Sequence, residues 1–169
     1  MNRKIFVRTL AAGTAGLGLI RNTILAQTDP KPAALVPEKV RDFVGACHRD
    51  LDKVKSLLAE STNLIYGSWD WGGGDFESGI EAAGHVGRKD IASFLLEKGA
   101  RSNTFLMTMM GQTAWIKSYL QLYPAHLTIR GPHGFSLLHH ANQGGDEARE
   151  LVDYLQSLGL KETKFNLHA

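Results

Sequence analysis

Apolar residues recur along this chain in short stripes separated by polar or glycine-containing turns. Val54, Leu57 and Leu58 form one stripe, Ile91, Phe94 and Leu95 a second, and Leu151, Tyr154 and Leu155 a third. The three- and four-residue steps are those of a helix with one apolar face. Each stripe follows the same lead-in: a small residue, then a polar or glycine turn. The pattern occupies 46–58, 83–96 and 141–155, with a more divergent copy at 107–120. Ser78 and Glu81 have capping-box spacing, so a helix is predicted to start there, and Ser136 can cap another. Gly87, Gly111 and Gly145 suit left-handed turns between paired helices.

The turn positions Asp50, Gly87, Gly111 and Gly145 are 37, 24 and 34 residues apart, a mean of about 32. Such self-similarity predicts helical hairpins that bury their stripes by stacking. The motifs resemble the ankyrin repeat. Gly134-Phe135-Ser136-Leu137-Leu138-His139-His140-Ala141 follows the first half of that consensus, with Ser136 for threonine and Leu137 for proline. Gly87 through Gly99 and Ala100, with the apolar helix between, follows the second half. The resemblance covers residues 40–160 and implies an all-α ankyrin-repeat solenoid of about four helix-turn-helix repeats with irregular hairpin loops. The copy before Gly111 is short for a full repeat. Ala46, Ala83 and Ala141 are predicted to keep the inner helices thin, and Cys47 to be a buried small hydrophobe.

Residues 1–26 read as an export signal: a basic start at Arg3 and Lys4, a short glycine-rich apolar run to Ile20, and a small residue at Ala26. Asn2-Arg3-Lys4-Ile5-Phe6-Val7 resembles a bacterial twin-arginine signal with Lys4 for the second arginine. That implies a periplasmic or secreted protein. Residues 27–39 contain Pro30, Pro32 and Pro37 and read as a linker. Residues 161–169 read as a C-terminal tail. The whole chain carries a formal +2, but removal of Arg3, Lys4, Arg8 and Arg21 with the signal leaves −2. No basic face for nucleic acid is expected, and no stable membrane insertion. One cysteine excludes an internal disulfide framework.

Ankyrin domains, as the resemblance implies, bind through inner helices and loop tips. A monomeric, non-catalytic module for an unidentified protein partner is therefore expected. Its candidate inner-face residues are His48 with Arg49 beside it, His85, Met109, His140 and Gln143. Its loop candidates are Trp69, Asp70 and Trp71 on one long loop and Arg130 and His133 on another. Trp69 and Trp71 also suit stacking on sugar rings, which makes a glycan-binding module an alternative. Asp70 and Asp75 lack the alternating ligands of a calcium loop. His48, His85 and Met109 suggest a copper or zinc site as a further alternative. Equivalent side chains on packed helices about 8–10 Å apart are expected to point in parallel, and the expectation is no metal and no cofactor. His139, at the consensus histidine position, is expected to be a structural hydrogen-bonder. No Gly-x-Ser-x-Gly, His-Glu-x-x-His or phosphate-binding loop is present, and no catalytic residue is expected.

Overall fold

A computed structural model describes residues 32–168, so the export-signal reading and most of the linker lie outside the described residues. Eight helices follow in order among them: α1 (Pro37–Cys47), α2 (Leu51–Glu60), α3 (Gly79–His85), α4 (Lys89–Glu97), α5 (Thr104–Met109), α6 (Thr113–Leu122), α7 (Leu137–Gln143) and α8 (Arg149–Ser157). A two-stranded antiparallel ribbon, β1 (Ser68–Asp70) and β2 (Phe76–Ser78), stands between α2 and α3, with Trp69 opposite Glu77. The chain is thus mostly helical. No helix among the described residues is long and apolar enough to cross a membrane.

Helices pair along the chain: α1 with α2, α3 with α4, α5 with α6, and α7 with α8. The first member of each pair packs on the first member of the next. Small residues permit the approach. A Cβ on Gly79 would lie 2.6 Å from Phe43 Cε1 and 2.8 Å from Cys47 Sγ, so α3 can open against α1 only with glycine there. Ala46, Ala83 and Ala141 are all buried. The turn glycines 87, 111 and 145 all take positive φ, as their positions predict.

The helix starts are specified locally. Asp50 accepts from Lys53 N–H at 2.9 Å, Asn103 from Leu106 N–H at 2.9 Å, and Ser136 from His139 N–H at 3.2 Å. Ser78 and Glu81 form the expected capping box. Glu81 also accepts from Asn103 Nδ2 at 2.8 Å, so one carboxylate fixes the starts of α3 and α5 together.

Two apolar clusters result. Phe43, Val54, Leu64, Ile91 and Leu95 belong to the one under α1–α5, and Ile116, Leu137, Leu151 and Leu155 to the one under α6–α8. Lys89 Nζ donates to Gly144 C=O and Glu147 Oε2, both at 2.6 Å, joining α4 to the turn after α7. Two expectations change. Leu127 and Thr128, whose apolar and β-branched side chains read from the sequence as a short extended stretch with Ile129, lie in a 3₁₀ turn spanning Pro124–Thr128 that begins at the proline. The tail is paired rather than loose: Phe165 N–H donates to Gly134 C=O at 2.8 Å and Ser136 N–H to Thr163 C=O at 3.0 Å.

Three candidate binding residues are buried, His85 at 8% exposed and two others more deeply. Met109 is fully buried and His140 is 1% exposed, so neither faces a partner. The stacked first helices close over both positions. His140 Nδ1 donates to Ser136 C=O at 2.8 Å, while its buried Nε2 has no hydrogen-bond partner. A proton on Nε2 would be buried without an acceptor. Burial accordingly pushes the imidazole down to about 4, against a smaller rise from the Ser136 carbonyl. The unfolded chain binds this proton near pH 6.5 and the folded chain does not. Stability is therefore complete above pH 6.5 and falls as pH drops from about 6.5 to 4, by roughly 3 kcal/mol from this group. Urea denaturation across that window measures the slope. A His140→Leu variant should flatten it, and an unchanged slope would exonerate His140.

Candidate metal centre

Four side chains from separate elements meet at one end of the first two hairpins. His48 caps the C-terminus of α1, Glu77 lies in β2, His85 ends α3, and His133 sits in the 3₁₀ turn before α7. Each offers one donor atom, and all four atoms lie within 4.8 Å of one another. His85 Nε2 is 2.8 Å from Glu77 Oε1 and 3.0 Å from His48 Nε2. His133 Nε2 is 3.5 Å from Glu77 Oε1, and His48 Nε2 is 3.4 Å from Glu77 Oε2. A first-row ion with bonds of roughly 2.0–2.1 Å holds neighbouring donors roughly 3–3.5 Å apart, close to these four contacts, and the wider pairs of the set would draw in around it.

The electrostatics ask for a cation. Glu77 is 0% exposed, and its Oε1 accepts no hydrogen bond among the described residues. A buried carboxylate with an unsatisfied oxygen is costly unless a positive charge offsets it. The outer contacts set the tautomers. His48 Nδ1 donates to Val44 C=O at 3.0 Å, and His133 Nδ1 to Asp75 Oδ2 at 2.6 Å. Both rings then turn a bare Nε2 lone pair inward, as ligation requires. Burial holds the His48 imidazole below its ordinary value, outweighing the opposite pull of Glu77. Burial pushes the Asp75 carboxyl up, but the backbone and ring hydrogen bonds from His133 outweigh it and hold it below the usual range.

Local sequence places each part. Alternation along a strand puts Asp75 and Glu77 on one face and Phe76 on the other, where it is 61% exposed. The tip between the strands is Gly72-Gly73-Gly74, all at positive φ. Trp71 N–H donates to Asp75 C=O at 2.9 Å and closes that tip. His133 has φ 58 and Gly134 φ 77, a left-handed pair that turns the imidazole back toward β2. Asp75 Oδ1 accepts the His133 backbone N–H at 2.8 Å and holds the turn.

The expectation that His48 and His85 cannot converge is corrected. Each ring rotates about its own Cα–Cβ bond, and two imidazoles facing one another span the gap between packed helices. Glu77 and Asp75 were not among the predicted ligands. The signal for them is the alternation of acids beside the glycine tip, on a loop that interrupts the repeat.

The other candidates lie elsewhere. Trp69 is half-buried and packs against the core, and Asp70 accepts from the N–H groups of Gly72 and Gly74 within its own loop. Trp71 is 42% exposed, and its Nε1 donates to Glu77 Oε2 at 2.8 Å. Arg49 and Gln143 are exposed at the ends of α1 and α7, and Arg130 is exposed beside a shallow cleft near Asp75 and Phe105. His139 is a structural donor: its Nε2 bonds His85 C=O at 2.8 Å. Cys47 is buried, and burial drives its thiol pKa far above the ordinary value, Glu77 adding to the effect. It is not a reactive thiol.

Comparison with protein-family models, curated proteins and solved structures gives no match for this chain.

Asp75 orients a donor without being one of the four. Asp75→Ala should weaken divalent-metal affinity about 10–100-fold while leaving the helical circular dichroism unchanged. Equal affinity in titration calorimetry would show that the ring is held by other contacts.

Proposed function

We propose that this chain is an exported scaffold of ankyrin type whose function is to hold one divalent first-row transition metal through His48, Glu77, His85 and His133. The observation that carries the reading is the buried Glu77 carboxylate ringed by three imidazole Nε2 atoms. Imidazole with carboxylate suits zinc, copper, nickel and iron, and disfavours calcium and magnesium, which take oxygen donors. The ankyrin-type part rests on the consecutive helix pairs and on the motif at Gly134–Ala141. Residues 61–78 and 123–134 depart from the repeat pattern, and together they supply Glu77, His133, Asp75 and Trp71.

A second reading, recognition of a protein partner, draws on α6 and its end. There Trp115, Leu122 and Tyr123 are 47%, 74% and 52% exposed, an apolar surface of the kind interfaces cover. Neither reading needs a catalytic residue.

Zinc binding at one site per chain is the expected result of calorimetry on metal-stripped protein. At a free zinc concentration about 100 times Kd, linkage adds about 2.7 kcal/mol of stability. The melting midpoint should rise by on the order of 10 °C. His85→Ala and Glu77→Gln should each abolish the rise. A midpoint that zinc leaves unmoved in the native sequence would refute the metal reading.

A further inference from the structure

Trp71 is the fifth side chain of this cluster, and it is not a ligand. Its Nε1–H donates to Glu77 Oε2 at 2.8 Å, while Glu77 Oε1 is the oxygen nearest His85 and His133. The indole thus engages Oε2, which His48 Nε2 also faces at 3.4 Å, and leaves Oε1 to coordinate beside His85 and His133. The indole also stands against the two more open rings of the site. It meets His48 edge-on at a centroid distance of 6.3 Å and His133 at 6.3 Å with a 54° tilt. Those rings keep 23% of their side-chain surface exposed, against 9% for His85 and 0% for Glu77. Trp71 therefore stands on the side by which water would reach the ion and shields part of it.

Resting on the metal-centre reading, we infer that Trp71 is the positioning residue that holds this to a four-coordinate zinc site. Its N–H holds Glu77 monodentate, and its ring crowds the side from which a five- or six-coordinate ion would take its waters. Four protein donors with no solvent position are the mark of a zinc site that binds rather than reacts, whereas hydrolytic zinc sites leave a position open. The same low coordination number and nitrogen-rich donor set disfavour manganese and magnesium, which prefer six oxygen-rich positions. Because Trp71 sits on the surface of a glycine-tipped ribbon, its replacement leaves both apolar clusters filled.

Cobalt(II) substitution reads the coordination number directly. The native sequence loaded with cobalt should show the intense visible bands of a four-coordinate ion. In Trp71→Phe the ring stays and the donor is lost. Zinc affinity should fall about 10–100-fold and the cobalt bands should weaken toward a higher coordination number. Trp71→Gln keeps a donor without the ring, and should recover part of the affinity lost in Trp71→Phe. Trp115→Phe, on the distant α6, controls for general loss of tryptophan and should match the native sequence. Pale six-coordinate cobalt in the native sequence would overturn the inference without needing any variant. So would a Trp71→Phe protein with native affinity and spectrum. Uptake of neither zinc nor cobalt by the native sequence would instead remove the metal reading beneath it.

Discussion

A carboxylate fully withdrawn from water governs this end of the molecule. Glu77 has no exposed surface, and an ionised carboxylate in that position is tolerated only among groups that offset its charge. Trp71 supplies one hydrogen bond, and three imidazoles stand at ion-pair distance. The rest of the local architecture holds those partners in place. Asp75 fixes His133, Val44 C=O fixes His48, and the end of α3 delivers His85. Helix α7 in turn braces α3, since His139 donates to the His85 carbonyl. The site thus draws on α1, the ribbon, α3, the turn before α7 and α7 itself.

Scaffold and site divide the sequence between them. The paired helices follow short-range rules: capping residues at their starts, glycines at their turns, and an apolar stripe every three to four residues. The two long connections obey none of these. The first carries acids, aromatics and a run of glycines, the second prolines and glycines, and their backbone bonds are made within the ribbon, within short turns and to the tail. Loops held on a rigid frame are where binding residues concentrate.

Much of the helical pattern was legible in the residues. The capping box at Ser78 and Glu81, the Ser136 cap, the turn glycines and the burial of Ala46, Ala83, Ala141 and Cys47 all follow from local chemistry. His48, His85 and His133 were identifiable as polar groups of interest, but not as neighbours. Their meeting depends on ring rotation and on a loop that returns from 58 residues away, between Asp75 and His133. Neither is encoded in a periodic pattern. Met109 and His140 failed for the complementary reason. Met109 was placed by its match to His48, His85 and Gln143 and His140 by its position before Ala141, yet the stacked first helices close over both.

The left-handed backbone at His133 sets conformational ease against chemistry. A side chain in that region carries a local cost of roughly 1–2 kcal/mol that glycine does not. Selection for rigidity or heat resistance alone would drift this position to glycine and lose a donor without disturbing the helices. A histidine there sets the contacts of its imidazole with Asp75 and Glu77 against the easier backbone that glycine would give.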